Sequence, residues 1–228
     1  MVGIIGAMSV EVDALTEKIQ DKKVERVGEY VFYQGKICGK EVVVCRCGVG
    51  KVASASVASL MIYLYNPKAI INIGVAGGVK PLQQGDVVVA EHTVQHDYDG
   101  VADGLALGQV HGFSSPYFDC DHGIVGQLCR VLDQKGYAYK TGTMASGDCF
   151  VSDNQKAKAI AQTFGAISFD MESAAINQVC QTQGVSFTAM RAISDNGDDD
   201  AVKSFYEFLT EACARSTDVI TEFIATFK

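Results

Sequence analysis

Proline is scarce in this sequence, with three in 228 residues, and no repeat or low-complexity tract interrupts it. A semi-rigid spacer between domains is thereby excluded. Residues 1–228 read as one domain, since a chain of this length that is 48% hydrophobic can bury one large core. Basic residues are few as well: 19 Lys and Arg face 27 Asp and Glu, a net charge of -8. No basic run is longer than Lys22-Lys23. A nucleic-acid surface needs a clustered basic face, so that partner is not expected. No apolar stretch approaches the roughly 18 residues of a membrane helix. Met1–Met8 lacks the basic start and long apolar segment of a signal peptide. The expectation is a soluble, cytoplasmic protein.

There are eight cysteines, and none forms a CxxC pair. A disulfide framework suits small secreted chains, so all eight are read as reduced and packed as small hydrophobes. The four His, at 92, 96, 111 and 122, show no usual ligand spacing with Cys, and no zinc site is expected.

Strand-like runs fall at 2–6, 30–37, 41–47, 69–73, 86–94, 138–145, 166–170 and 185–193. Helix-like segments fall at 9–20, 51–65, 121–135, 153–164, 172–184 and 203–227. This alternation predicts an α/β fold, a three-layer αβα sandwich around a central twisted sheet. Cys38-Gly39-Lys40 joins two early strands as a hairpin, so the sheet is mixed. Region 97–119 is long, glycine-punctuated and weakly periodic, the pattern of a functional or disordered loop.

Two apolar runs end abruptly in carboxylates: Ile167–Ala175, with Glu172, and Met190–Asp195. With the helix between them they read as a βαβ unit, whose parallel strands bring both acids to one sheet edge. Ligands bind at that edge in open α/β sheets. Three glycine turns, Gly3–Met8, Gly48–Lys51 and Ile71–Gly78, end strands at the same edge. The first two read as tight strand-to-helix turns that leave backbone N–H groups open to a ligand, and Gly74, Gly77 and Gly78 in the third leave room for one to lie on backbone. The first is not a dinucleotide GxGxxG. The second fails as a P-loop, with Val52 where a hydroxyl must bind magnesium. Glu11, alone, reads as a helix-dipole partner.

Six motifs in order decide between these readings. Gly3–Glu11 (GIIGAMSVE), Gly48–Lys51 (GVGK), Asn72–Gly78 (NIGVAGG), Ser146–Val151 (SGDCFV), Asp170–Ser173 (DMES) and Arg191–Asp195 (RAISD) resemble the methylthioadenosine/S-adenosylhomocysteine nucleosidases over residues 2–227. The resemblance implies the nucleoside phosphorylase-like fold, a homodimer, no cofactor, and hydrolysis of an adenosine-type N-glycosidic bond. It implies Asp195 as the acid at purine N7, Glu11 as the base that aims water, and Glu172 on the ribose hydroxyls. Met171 would pack beneath the sugar, Phe150 would stack on adenine, and the Val151 backbone would read its edge. Ser194 and Arg191 resemble supports around the acid, Phe205 the wall near the 5′ group, and Met8, Val49, Ala76 and Gly77 further substrate contacts.

The chemistry agrees. A purine leaves well only once N7 is protonated, which calls for a carboxylic acid whose pKa burial has raised. An oxocarbenium-like sugar is stabilised by nearby carboxylates. The alternatives are a phosphate-dependent purine nucleoside phosphorylase, an aminodeoxyfutalosine nucleosidase, or a nucleoside sensor without turnover. A phosphorylase needs arginines for a phosphate dianion. This chain has five Arg, none on the glycine turns. Arg191, the one candidate, reads as engaged with the loop of Asp195. A sensor would not need Glu11. Loop 96–112 departs from the family, with Gly100, Asp103 and His111 where apolar groups are common. That predicts a more polar mouth near the neighbouring subunit's pocket, suited to homocysteine. Cys149 reads as packing, with no His adjacent in sequence.

Overall fold

The computed structural model describes residues 1–195 and 201–227. Ten strands among them form one mixed sheet. β1 (Val2–Gly6), β4 (Lys40–Arg46), β5 (Ala69–Gly78) and β10 (Ser186–Asp195) run parallel to one another. β2 (Gln20–Val27) and β3 (Tyr30–Ile37) extend that half as an antiparallel meander. β6 (Val87–Gln95), β8 (Tyr139–Ser146) and β9 (Ala166–Asp170) run together in the opposite direction. The short β7 (Tyr117–Asp119) pairs with β6. β10 bonds to both β5 and β6, so five strands close into a ring: β5, β9, β8, β6 and β10. Closure removes two edges that would otherwise need cover.

Helices α1 (Ser9–Glu17), α3 (His122–Lys135) and α6 (Ala201–Thr226) pack together on one side. On the other, α2 (Lys51–Tyr65) packs on α5 (Ser173–Gln183), and α4 (Asn154–Phe164) lies against β8 and β9. The reasons are local. In α3, Ile124, Val125, Leu128, Val131 and Leu132 recur at helical spacing and are buried. Asp121 caps its first turn through the Ile124 N–H, and Gly136 ends it at φ +70°. Buried on both faces, β1 and β5 are almost continuously apolar. No helix among the described residues is long and apolar enough to cross a membrane.

Three sequence expectations change. β2 is an additional strand. Its residues, Gln-Asp-Lys-Lys-Val-Glu-Arg-Val, are nearly all exposed, so no apolar alternation marks it. The third glycine turn is no turn, because β5 continues through Gly78. The βαβ reading fails too: β9 is antiparallel to β5, which is parallel to β10. The two acidic ends meet for a different reason. β9 pairs with β5 only at Gly77 and Gly78, running back from beyond the end of β5. Its C-terminus therefore comes level with Ala76, beside the end of β10, where Asp195 pairs with Gly77.

Candidate active site

A cavity of about 580 Å³ opens where these strand ends converge. Every site residue named from the sequence lines it. Met8 comes from the β1–α1 turn, Glu11 from the first turn of α1, Val49 from the β4–α2 turn, and Ala76 and Gly77 from β5. Phe150 and Val151 come from the β8–α4 connection, Met171 and Glu172 from the β9–α5 turn. Arg191, Ser194 and Asp195 lie on β10, and Phe205 on α6. Asp170 also lines it, a residue to which sequence reasoning assigns no role. A second acid within DMES is the available signal.

Asp195 is buried and reaches the cavity through an irregularity. On a regular strand Ser194 and Asp195 would point to opposite faces. The register with β5 shifts between Ile193 and Asp195, and both side chains line the cavity. Ser194 Oγ donates to Asp195 Oδ2 at 2.8 Å. Gly77 gives room, since a Cβ there would lie 3.0 Å from Asp195 Oδ1.

The glycine-turn N–H groups are not open to a ligand as expected. The protein's own carboxylates take them. Glu11 Oε2 accepts from Ala7 N–H (2.6 Å) and Met8 N–H (2.9 Å), and Oε1 accepts from Val75 N–H (3.2 Å). Glu172 Oε1 accepts from Gly50 N–H at 2.9 Å. Gly74, at φ +142°, permits the approach of Glu11: a Cβ there would sit 2.1 Å from Oε1.

Arg191 is 1% exposed and lies among three acids. Nη2 is 2.8 Å from Asp170 Oδ2 and 3.1 Å from Glu172 Oε2, and Nη1 is 3.8 Å from Glu11 Oε1. Nη2 also donates to Asn72 Oδ1, and Nη1 to Ile73 O. The guanidinium thus supports the carboxylates beneath the cavity, which corrects the reading that tied it to the loop of Asp195. Ser146 and Ser173 hydroxyls donate to Asp170.

One cation cannot balance these acids. Burial pushes the Glu11 carboxyl above its ordinary range, against the pull of Arg191 and three backbone N–H groups. Burial likewise raises Glu172 to about 7, with Arg191 opposing and Asp170 assisting. Burial alone would lower the Arg191 pKa, yet Asp170, Glu172 and Glu11 hold it above the usual value.

Around this polar floor the walls are apolar. Phe150 is 43% exposed and meets Phe205 edge-to-face at 5.7 Å. The connection that carries Phe150 is anchored from outside. Asp148 N–H donates to Asp97 Oδ2 (2.8 Å), Lys51 Nζ pairs with Asp97 Oδ1 (2.7 Å), and Lys51 N–H donates to Asp148 Oδ1 (2.8 Å). Burial disfavours ionised Asp97, but Lys51 and that N–H hold its pKa below the usual value.

Comparison with known proteins gives this geometry its setting. The phosphorylase superfamily model matches residues 1–225. A 5′-methylthioadenosine/S-adenosylhomocysteine nucleosidase of Actinobacillus succinogenes is 36% identical over 226 residues, covering 98% of each chain. This chain belongs to that nucleosidase family. A Neisseria meningitidis nucleosidase of the same name, solved with methylthio-immucillin-A, superposes with a TM-score of 0.96 at 34% identity and covers 99% of both chains. A Helicobacter pylori futalosine hydrolase superposes with a TM-score of 0.93 at 32% identity, over 98% of this chain and 96% of its own. The sheet and helix layers described above are thus the nucleoside phosphorylase-like fold.

Proposed function

We propose that this protein, as one domain of residues 1–228, hydrolyses the N-glycosidic bond of 5′-methylthioadenosine and S-adenosylhomocysteine, releasing adenine and the 5-thio-substituted ribose. Asp195 protonates purine N7, held in orientation by Ser194. Asp195 is buried where the strand ends meet the cavity, with Ser194 Oγ on its carboxyl. Glu11 takes a proton from water and aims the oxygen at the anomeric carbon. A carboxylate whose pKa is raised by burial is a stronger base near neutral pH. Glu172 accepts from the ribose hydroxyls, and Met171 lies under the sugar. Phe150 stacks on the purine, the Val151 backbone reads its edge, and Phe205 with Met8 and Val49 walls the 5′ side.

One observation carries the choice of water over phosphate. Arg191 is the only cationic side chain among the described residues that line the cavity, and it is buried against Asp170 and Glu172. The N–H groups of the two glycine turns that would cradle an anion, and Val75 N–H on β5, are held by Glu11 and Glu172. A phosphate dianion would meet uncompensated acids. Adenine release is expected at full rate after phosphate is removed by a scavenging enzyme. A strict phosphate requirement would contradict hydrolysis.

The protein acts in the cytoplasm as a homodimer, with loop 96–112 near the partner's site. Within that loop, His111 is engaged by Tyr98 Oη (2.8 Å) and Asp103 (3.3 Å), which gives it a polar surface. The expectation is a higher kcat/KM for S-adenosylhomocysteine than for methylthioadenosine, and a strong opposite preference would count against it. The likeness to a futalosine hydrolase favours an aminodeoxyfutalosine-type nucleoside as a second substrate, checked by adenine release.

A further inference from the structure

In sequence Cys149 has no adjoining His, which suggests a packing role. The fold supplies one. Cys149 Sγ lies 3.9 Å from His96 Nε2 and accepts from Lys156 Nζ at 3.1 Å. It is half-buried and lines the cavity between Asp148 and Phe150. Gly147 makes the approach possible, since a Cβ there would fall 2.4 Å from the His96 ring.

The other seven thiols have different surroundings. Cys45, Cys47, Cys120, Cys180 and Cys213 are buried, and burial pushes each thiol up, Cys45, Cys120 and Cys213 to about 12. Burial raises Cys129 as well. Cys38 is exposed, with a backbone carbonyl, Thr221 O, as its neighbour at 4.0 Å. The Lys156 ammonium, at hydrogen-bond distance from Cys149 Sγ, is placed to pair with the sulfur once its proton has left. Burial, with Lys156 and Lys51, keeps His96 below its ordinary pKa despite Asp97, so its ring is neutral near pH 7 and can accept a proton.

We propose that Cys149, His96 and Lys156 form a peroxide-reactive thiol site in the cavity wall, through which oxidation weakens nucleoside binding. His96 Nε2 takes the thiol proton, and Lys156 stabilises the thiolate. The sulfur attacks one oxygen of hydrogen peroxide, an S–O bond forms and the O–O bond breaks. Sulfur is oxidised by two electrons to a sulfenic acid, and the departing hydroxide regains the proton from His96 as water. The new polar oxygen lies in the short connection that carries Phe150 and Val151, which in the proposed function hold the purine. The labelling arm below is independent of that function, whereas the activity arm rests on it.

The test treats the intact protein with hydrogen peroxide and traps sulfenic acid with dimedone. Peptide mass spectrometry then follows each cysteine. Cys149 is expected to label at least 10-fold faster than Cys38, and K156M to slow Cys149 at least 5-fold. Equal rates at Cys38 and Cys149, or an unchanged rate in K156M, would overturn the reactive site. In the activity arm, KM for methylthioadenosine is expected to rise as Cys149 is oxidised, while C149S keeps its own untreated KM at the same dose. An equal rise in C149S, or no rise in the oxidised wild type, would overturn the link to binding and leave the labelling result to decide the site.

Discussion

Glu11, Asp170, Glu172 and Arg191 share one buried volume, and their charges cannot be considered separately. A raised carboxyl pKa means that the folded state prefers the neutral form. The contribution of Glu172 is therefore complete below its unfolded value near 4.5 and is lost as pH rises toward about 7. E172Q cannot ionise and still offers an oxygen to Gly50 N–H. Its melting temperature relative to wild type should climb between pH 5 and pH 8, by on the order of 3 kcal/mol in stability. A pH-independent difference would show that Glu172 is not strained by burial. The same variant should lose activity, because a neutral amide holds the ribose less well. D195N and E11Q should each lower kcat about 10³-fold while adenine still binds, the range for removing an acid or base aligned with its target. Unchanged turnover in either variant would refute the role assigned to it.

Backbone elements place these groups. Gly74 is the tightest position, with φ +142° and the Glu11 carboxylate against it. G74A should displace Glu11, lowering kcat more than it raises KM, with thermal unfolding confirming that the fold persists. The outer anchor acts differently. D97N weakens the tie between Lys51 and the Asp148 N–H, so the connection bearing Phe150 loosens. KM should rise several-fold with kcat little changed, and a fall in kcat alone would contradict this positioning role. These ties explain what the sequence could and could not display. Strand ends and glycines were legible because buried apolar runs stop there. The partners of Asp97 and Arg191 were not, because they are distant and depend on register. Lys51 and Asp148 lie 46 and 51 positions from Asp97, and Glu172 lies 19 from Arg191. Nor was the direction of β9, since helical connection length does not report strand polarity when a third strand intervenes.

For the molecule as a whole, layer order was legible in the alternation of strand and helix. Ring closure was not, because it depends on β10 pairing with β6 through three residues, Met190, Arg191 and Ala192. That closure brings oppositely directed strand ends to one cavity and surrounds it with acids. The central claim is that this acid set, with its anion-binding N–H groups already occupied, makes water the nucleophile. The most direct measurement is turnover of methylthioadenosine in ¹⁸O-labelled water with phosphate present, followed by mass spectrometry of the sugar product. One heavy oxygen on free methylthioribose is predicted. Unlabelled methylthioribose 1-phosphate as the product would contradict the account.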